Sequence, residues 1–293
     1  MEQLSINMFW VGVVALGVAV SGYLAHTLGA WVVLRPAATD AGSITVATVA
    51  RLPASVGRFS TLATWLALAS LTTSLAVRWA GTGRPPYTNM WEFAVAFAWG
   101  IVLTYAIFER WYGQRTLGAF MLSVALGLCL AAWAFFPAQV QPLVPALQAN
   151  DILGFHVGTM VLAYGALSVS FGAAVMYLIQ GERRRFARLP RGQLLEEVAH
   201  RSVLLGFPLL TLGVALGAYW GNSAWGRYWG WDPKETASLV TWLVYAGYMH
   251  MRGLRGWRGQ RATLLLVAGF MAILFTFFAV NLWVSGLHSY AGV

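Results

Sequence analysis

The sequence predicts an all-α polytopic membrane bundle of about eight transmembrane helices, with both termini outside and residues 1–293 forming one integral membrane domain. Of the 293 residues, 59% are hydrophobic and only 10% charged, too little polar surface to coat a water-soluble globule. The apolar residues gather in long runs separated by short polar connections. The basic residues concentrate in alternate connections, as they do in proteins that span a lipid bilayer.

The runs lie at about 8–34, 60–80, 88–108, 116–136, 152–180, 202–220, 236–251 and 262–284. At 1.5 Å per residue, each reaches across a hydrocarbon core of roughly 30 Å, except that 236–251 does so only if the aromatic segment before it also lies at membrane depth. The first run is too long for a signal-peptide core, and Met1 to Asn7 carry no Lys or Arg, so it reads as a retained helix with its N-terminus outside. Among the connections, 35–59 holds Pro36 and Pro53. In 181–201, the closing LLEEVAHR could begin the sixth helix early. The connection 137–151 has Pro137, Pro142 and Pro145 and no basic residue, as a short interfacial cap would.

Orientation follows from the 18 arginines and one lysine behind the formal charge of +9. Arg35, Arg51, Arg58, Arg110, Arg115, Arg183, Arg184, Arg185, Arg188, Arg191, Arg201, Arg252, Arg255, Arg258 and Arg261 fall on one side, and Arg78, Arg84, Arg227 and Lys234 on the other. The richer side is cytoplasmic by the positive-inside rule. Charges confined to short inter-helical connections give no surface for nucleic acid. Cys129, the single cysteine, sits within the fourth run, so the chain supplies no dithiol and no disulfide of its own.

The outward segment Trp220 to Glu235, WGNSAWGRYWGWDPKE, is the densest feature. Interfacial enrichment explains one or two aromatic rings at a helix end, not Trp220, Trp225, Tyr228, Trp229 and Trp231 together. Such rings suit a large, flat, partly apolar ligand such as a tetrapyrrole, and Arg227 and Lys234 could pair with its carboxylates. Asp232 followed by Pro233 also reads as a helix N-cap with Pro at the first helical position, and Glu235 falls in the first turn, where the helix dipole favours an anion.

Five histidines complete the inventory. His156 and His288 flank the aromatic segment on the outer side, whereas His250 ends the seventh run about 15 residues, or roughly 22 Å, below it. His26 lies in the inner half of the first run, and His200 sits among the charges of a cytoplasmic connection. An isolated membrane histidine ordinarily serves as a helix–helix hydrogen-bonding partner. Two on the face that carries the aromatic cluster also fit axial ligation of a haem iron. Glu92, at the outer start of the third helix, reads either as a functional carboxylate or as half of an ion pair with Arg84 or Lys234.

The aromatic segment and the TASLVTWLVYAGYMH that follows it resemble the WWD motif of haem-handling membrane proteins. With TNMWEF at 88–93, FHVGTMVLAYGALSVSF at 155–171, GFPLLTLGVALGAYWGNSAWG at 206–226 and the C-terminal NLWVSGLHSY, the resemblance is to the CcsA (ResC) family of the System II cytochrome c synthase. It implies a multi-pass protein of the bacterial inner membrane that moves haem b, as bound substrate, to an outer-face site. There the haem is joined by thioether bonds to the CxxCH motif of an apocytochrome c, in a complex with a CcsB/ResB-like membrane partner. It implies haem ligation by His156 and His288, an inner haem site at His250, and haem contacts from the segment 220–235, chiefly Trp225, Trp229 and Trp231, with Tyr228, Arg227, Asp232 and Lys234 beside them. The second inner ligand is then either His26 or a residue of the partner. The rival readings are a haem-delivery protein of the CcmC or CcmF kind, a b-type electron-transfer cytochrome, and a transporter of another amphipathic solute.

Overall fold

A computed structural model describes the chain except residues 40–41, 52–53, 141, 143–146, 149–150, 183–184, 187–188, 255–256, 285 and 289–293. Pro145, Arg183, Arg184, Arg188 and Arg255 therefore lie outside the described residues, as do the side chains of Arg35 and Arg51. Among the described residues, eight long helices make up the bundle: α1 (Glu2–Leu28), α2 (Ala54–Thr82), α3 (Met90–Tyr112), α4 (Gly118–Phe135), α5 (Asp151–Gln180), α6 (Gly192–Trp225), α7 (Pro233–Arg252) and α8 (Gln260–Leu274). A π-helical stretch, Phe275–Ala279, and a last turn, Val280–Leu282, extend α8.

Seven of these helices are long and apolar enough to cross a membrane, and the chain is a multi-pass helical membrane protein. The exception is α7, the run that was shortest in the sequence. It reaches 20 residues, or about 30 Å, only by recruiting polar Lys234, Glu235 and Thr236 at its start.

The first apolar run divides differently from expectation. Helix α1 ends at Leu28, and residues Ala30–Thr39 (β1) pair antiparallel with Gly42–Arg51 (β2), so the connection is a hairpin rather than an irregular loop. AWVVL in β1 and ITVATV in β2 are rich in β-branched residues, and a short apolar run of that kind does not distinguish helix from strand by periodicity. Helix α1 needs none of it, since its 27 residues already span about 40 Å. Helix α6 does begin early, taking in LLEEVAHR as its first turns.

One buried apolar cluster runs through all eight helices. Helices α3 and α5 are its axis, with 72% of their membrane windows buried, whereas α6 is peripheral at 28%. Small residues let the helices approach closely, the arrangement that works in lipid, where apolar burial between helices gives little drive. A Cβ on Gly165 of α5 would lie 2.4 Å from the Gly100 carbonyl oxygen of α3, and one on Gly206 of α6 would lie 3.2 Å from the Ala163 carbonyl oxygen of α5.

Helix ends carry local signals. Asn89 caps α3 by accepting the Glu92 amide at 2.9 Å, and Gly113 closes it at φ 63°. Gly226, at φ 73°, stops α6 and donates its amide to the Asn222 carbonyl. These left-handed positions favour glycine because no Cβ meets the following carbonyl.

Candidate functional site

The start of α7 is built as the Asp-Pro pair predicts. Asp232 Oδ1 accepts the Lys234 amide at 2.9 Å, Glu235 Oε2 accepts the Asp232 amide at 3.1 Å, and Pro233 occupies the first helical position. Glu235 also takes the Gly230 amide at 2.8 Å, which ties the aromatic segment back onto the helix it introduces.

Asp232 has a second task. Its Oδ1 accepts Nδ1–H of His288 at 2.8 Å and its Oδ2 accepts the Leu287 amide at 2.6 Å, so the C-terminal segment is clamped to the start of α7. Burial pushes the Asp232 carboxyl up, but the His288 hydrogen bond and the Lys234 and Leu287 amides outweigh it and hold its pKa at about 2. His288 itself lies below the ordinary imidazole range, because burial outweighs the attraction of Asp232.

His156, one turn into α5, shares an Nδ1 hydrogen bond of 2.7 Å with the Gly213 carbonyl of α6. A carbonyl can only accept, so Nδ1 carries the proton and Nε2 of the neutral ring carries the lone pair. The fully buried Trp220 lies beside both histidines, parallel to His156 within 7° at 6.4 Å between centroids and 6.0 Å from His288. Trp225 packs its edge on His288 at 4.6 Å and on Trp220 at 4.8 Å.

The two histidines line one cleft with Phe93, Met160, Tyr164, Val214, Gly217, Trp229, Lys234 and Thr276. It is walled by α5, α6, α7 and the π-helical stretch of α8, an irregularity that often marks a functional position. Its void is about 90 Å³, below the roughly 300 Å³ at which preformed ligand pockets begin. As it stands the cleft is too small to enclose a tetrapyrrole. Helices α6 and α7 are bridged across their seam by a Trp242 Nε1–H bond to Thr211 at 2.9 Å and by the Phe207 and Trp242 rings at 5.4 Å. The donor set has the chemistry a haem iron takes: two imidazoles, each with Nδ1 held by an acceptor so that the ligand lone pair falls on Nε2, in an apolar, aromatic-walled cleft.

The remaining expected residues are distributed unevenly. Trp229 and Lys234 line the cleft, with Lys234 Nζ 5.8 Å from the Phe93 ring centroid. Trp225 stands behind His288, while Tyr228 and Trp231 are exposed at the rim. The Arg227 side chain is folded over Gly230, where a Cβ would meet its Nε at 2.5 Å. Trp231 is the one non-glycine among the described residues with positive φ, at 57°.

At the other end of the bundle, His250 is exposed on the last turn of α7. His200 of α6 meets the Tyr248 hydroxyl at 3.3 Å. His26 belongs to α1, which packs on α2 and α4, whereas α7 packs on α8 and α6.

Glu92 is paired, with neither Arg84 nor Lys234 but with Arg78 of α2, at 2.5 Å and with both side chains buried. Glu92 also accepts the Thr88 amide and hydroxyl at 2.7 and 2.8 Å. The sequence reading missed the two glycines that seat His156. Gly213 supplies the acceptor, and a Cβ on Gly217 would stand 2.7 Å from the imidazole. Their signal was present as glycines at 213, 217 and 221, a spacing of four along one helical face.

Fold and site define a polytopic helical membrane protein with a paired-histidine cleft at one end of its bundle. The chain belongs to the cytochrome c assembly protein family, whose sequence profile matches residues 87–288. It is similar to the cytochrome c biogenesis protein CcsA of Trichormus variabilis, 32% identical over 82% of this chain and 90% of that one. The CcsA of Gloeobacter violaceus is 33% identical over 77% and 84%, and that of Parasynechococcus marenigrum 36% identical over 75% and 82%. Among solved structures, the cytochrome c haem lyase CcmF superposes with a TM-score of 0.63 at 18% identity, over 94% of this chain and 46% of that one, which establishes a shared fold.

Proposed function

We propose that this protein is the haem-handling subunit of a cytochrome c synthase. It holds haem b as substrate between His156 and His288 and presents it for attachment to the CxxCH motif of an apocytochrome c. The observation that carries the reading is the convergence of these two histidines, 132 positions apart in a chain of 293, on one aromatic-walled cleft, each with Nδ1 already engaged.

The attachment adds each substrate thiol across a haem vinyl group: sulfur bonds to one vinyl carbon, the thiol hydrogen goes to the other, and no net oxidation occurs. The chain's contribution is positional. His156 and His288 fix the iron, Trp229 and Phe93 flank the ring, and Lys234 offers a cation to a propionate. No nucleophile is needed from the protein, in keeping with Cys129 being buried within α4.

In this reading the cleft and both termini face outward across the bacterial inner membrane, the whole chain acts as one membrane domain, and 220–235 is its outward haem-binding loop. His250, at the opposite end of α7, marks an inner stop for haem, completed by a ligand from a CcsB/ResB-like partner. The packing of α1 on α2 and α4, and of α7 on α8 and α6, favours the partner over His26 as the source of that ligand. The same packing weighs against a b-type cytochrome ligated by His26 and His250.

The test is co-expression with a reporter apocytochrome, with and without the partner, scoring covalent haem. His156→Ala or His288→Ala is expected to purify with little haem or a shifted Soret band and to abolish attachment. His250→Ala is expected to leave the outer site intact but under-filled. Unchanged spectra and normal attachment in both outer-site variants would refute the assignment.

A further inference from the structure

The two outer histidines are held by different kinds of acceptor. His156 Nδ1–H meets the Gly213 backbone carbonyl, a neutral group, at 2.7 Å. His288 Nδ1–H meets the Asp232 carboxylate at 2.8 Å. That carboxylate is only 5% exposed and is fixed by two further donors, the amides of Lys234 and Leu287. A carboxylate behind an imidazole fixes its tautomer and makes Nε2 a stronger donor to a metal, and loss of such a partner typically costs about 10–100-fold in metal affinity. A backbone carbonyl orients the ring as well but lends no negative charge.

Packing holds the Asp232–His288 pair together. Trp225 presses on the His288 ring at 4.6 Å, and Gly286 approaches so closely that a Cβ there would lie 2.5 Å from Asp232 Oδ2. His288, though carried on a C-terminal segment rather than on a helix, is the ring backed by a fixed negative charge. An apocytochrome whose own histidine is to reach the iron must displace one of the pair.

We propose that Asp232 is a positioning residue that makes His288 the retained iron ligand and leaves His156 as the ligand exchanged for the histidine of the incoming substrate. This rests on the haem-binding reading of the cleft. The Asp232–His288 pair is thus part of the synthase step itself, besides starting α7.

The experiment uses the full-length haem-loaded protein and, as probe, a synthetic Ala-x-x-Ala-His peptide that cannot form thioethers. The haem-loaded protein is expected to bind the peptide and give the resonance Raman and electron paramagnetic resonance signature that His156→Gly gives with peptide. His288→Gly is expected to retain haem at least about tenfold more weakly than His156→Gly, since only the weaker ligand then remains. Asp232→Asn is expected to raise the haem midpoint potential, because an amide does not strengthen the imidazole as a carboxylate does, and Asp232→Glu to restore part of the shift. A merely structural role for Asp232 would leave the potential unmoved. A peptide-bound spectrum matching His288→Gly, or an unchanged potential in Asp232→Asn, overturns the proposal. If neither glycine variant alters the spectrum before peptide is added, the paired-histidine reading itself falls, and the proposal with it.

Discussion

Arg78 of α2 and Glu92 of α3 form an ion pair at 2.5 Å with both side chains almost wholly inside the bundle. The Arg78 guanidinium also donates to the Ala138 carbonyl and lies 4.7 Å from the Trp91 ring centroid, so one side chain joins α2, α3 and the connection after α4. Phe93, next in sequence to Glu92, lines the cleft, which makes this pair part of the support for the site.

Breaking the pair leaves an uncompensated charge in a low-dielectric setting. Arg78→Met and Glu92→Leu singly are each expected to destabilise the protein by about 3–5 kcal/mol, whereas the double substitution restores most of the loss. Thermal unfolding in detergent checks this. Additive losses in the double variant would mean that the two side chains act independently.

Gly217→Ala tests the seat of His156. The added methyl would stand 2.7 Å from Cε1 and 2.9 Å from Nδ1, so the ring must swing away from the Gly213 carbonyl. Haem content on purification is expected to fall about tenfold, with a folding cost of about 1–3 kcal/mol. Gly247→Ala, where an added Cβ meets nothing within 4 Å, is the control and is expected to retain its haem.

Trp231 combines a bulky side chain with φ of 57° and 69% exposure, a conformation that costs about 1–3 kcal/mol, set against one edge contact with the Trp229 ring at 6.0 Å. Trp231→Gly is therefore expected to keep or slightly raise thermal stability while lowering covalent haem attachment to the reporter. Unimpaired attachment would assign the ring to the membrane interface instead.

Acid sensitivity follows from the Asp232–His288 clamp. The Asp232 carboxyl titrates at about 2, below its ordinary value of 3.8, so its contribution is complete above the ordinary value and is lost only as pH falls toward 2. His288 lies below its ordinary 6.5, so the neutral ring is retained through that pH and its contribution is lost as pH falls further, through the folded value. Thermal stability of the haem-free protein is expected to be flat from pH 8 to 6.5 and to decline below. Loss already between pH 8 and 7 would contradict a depressed His288.

Much of this was legible in the chain because membrane helices answer to length and apolarity, which are one-dimensional properties. The start of α7 was legible because the capping box is local: Asp232 accepts the Lys234 amide and Glu235 accepts the Asp232 amide, bonds that reach no more than three residues along the chain. The pairing of Glu92 was not, since Arg84 is nearer in sequence but Arg78 lies two turns back along α2 and faces the core.

Sequence alone determined the helical membrane class, the aromatic segment and the histidines worth naming, because composition, run length and residue type already carry that information. Only the tertiary structure decided that β1 and β2 form a hairpin. It alone also decided that Trp229 enters the cleft while Trp231 leaves it, and that Asp232 reaches across to His288. Between Gly226 and Asp232 the backbone has no repeating geometry, so the direction of each ring depends on individual φ and ψ values and on what packs behind it. Contacts between residues 56 positions apart, such as Asp232 and His288, exist only once α7 and α8 lie side by side.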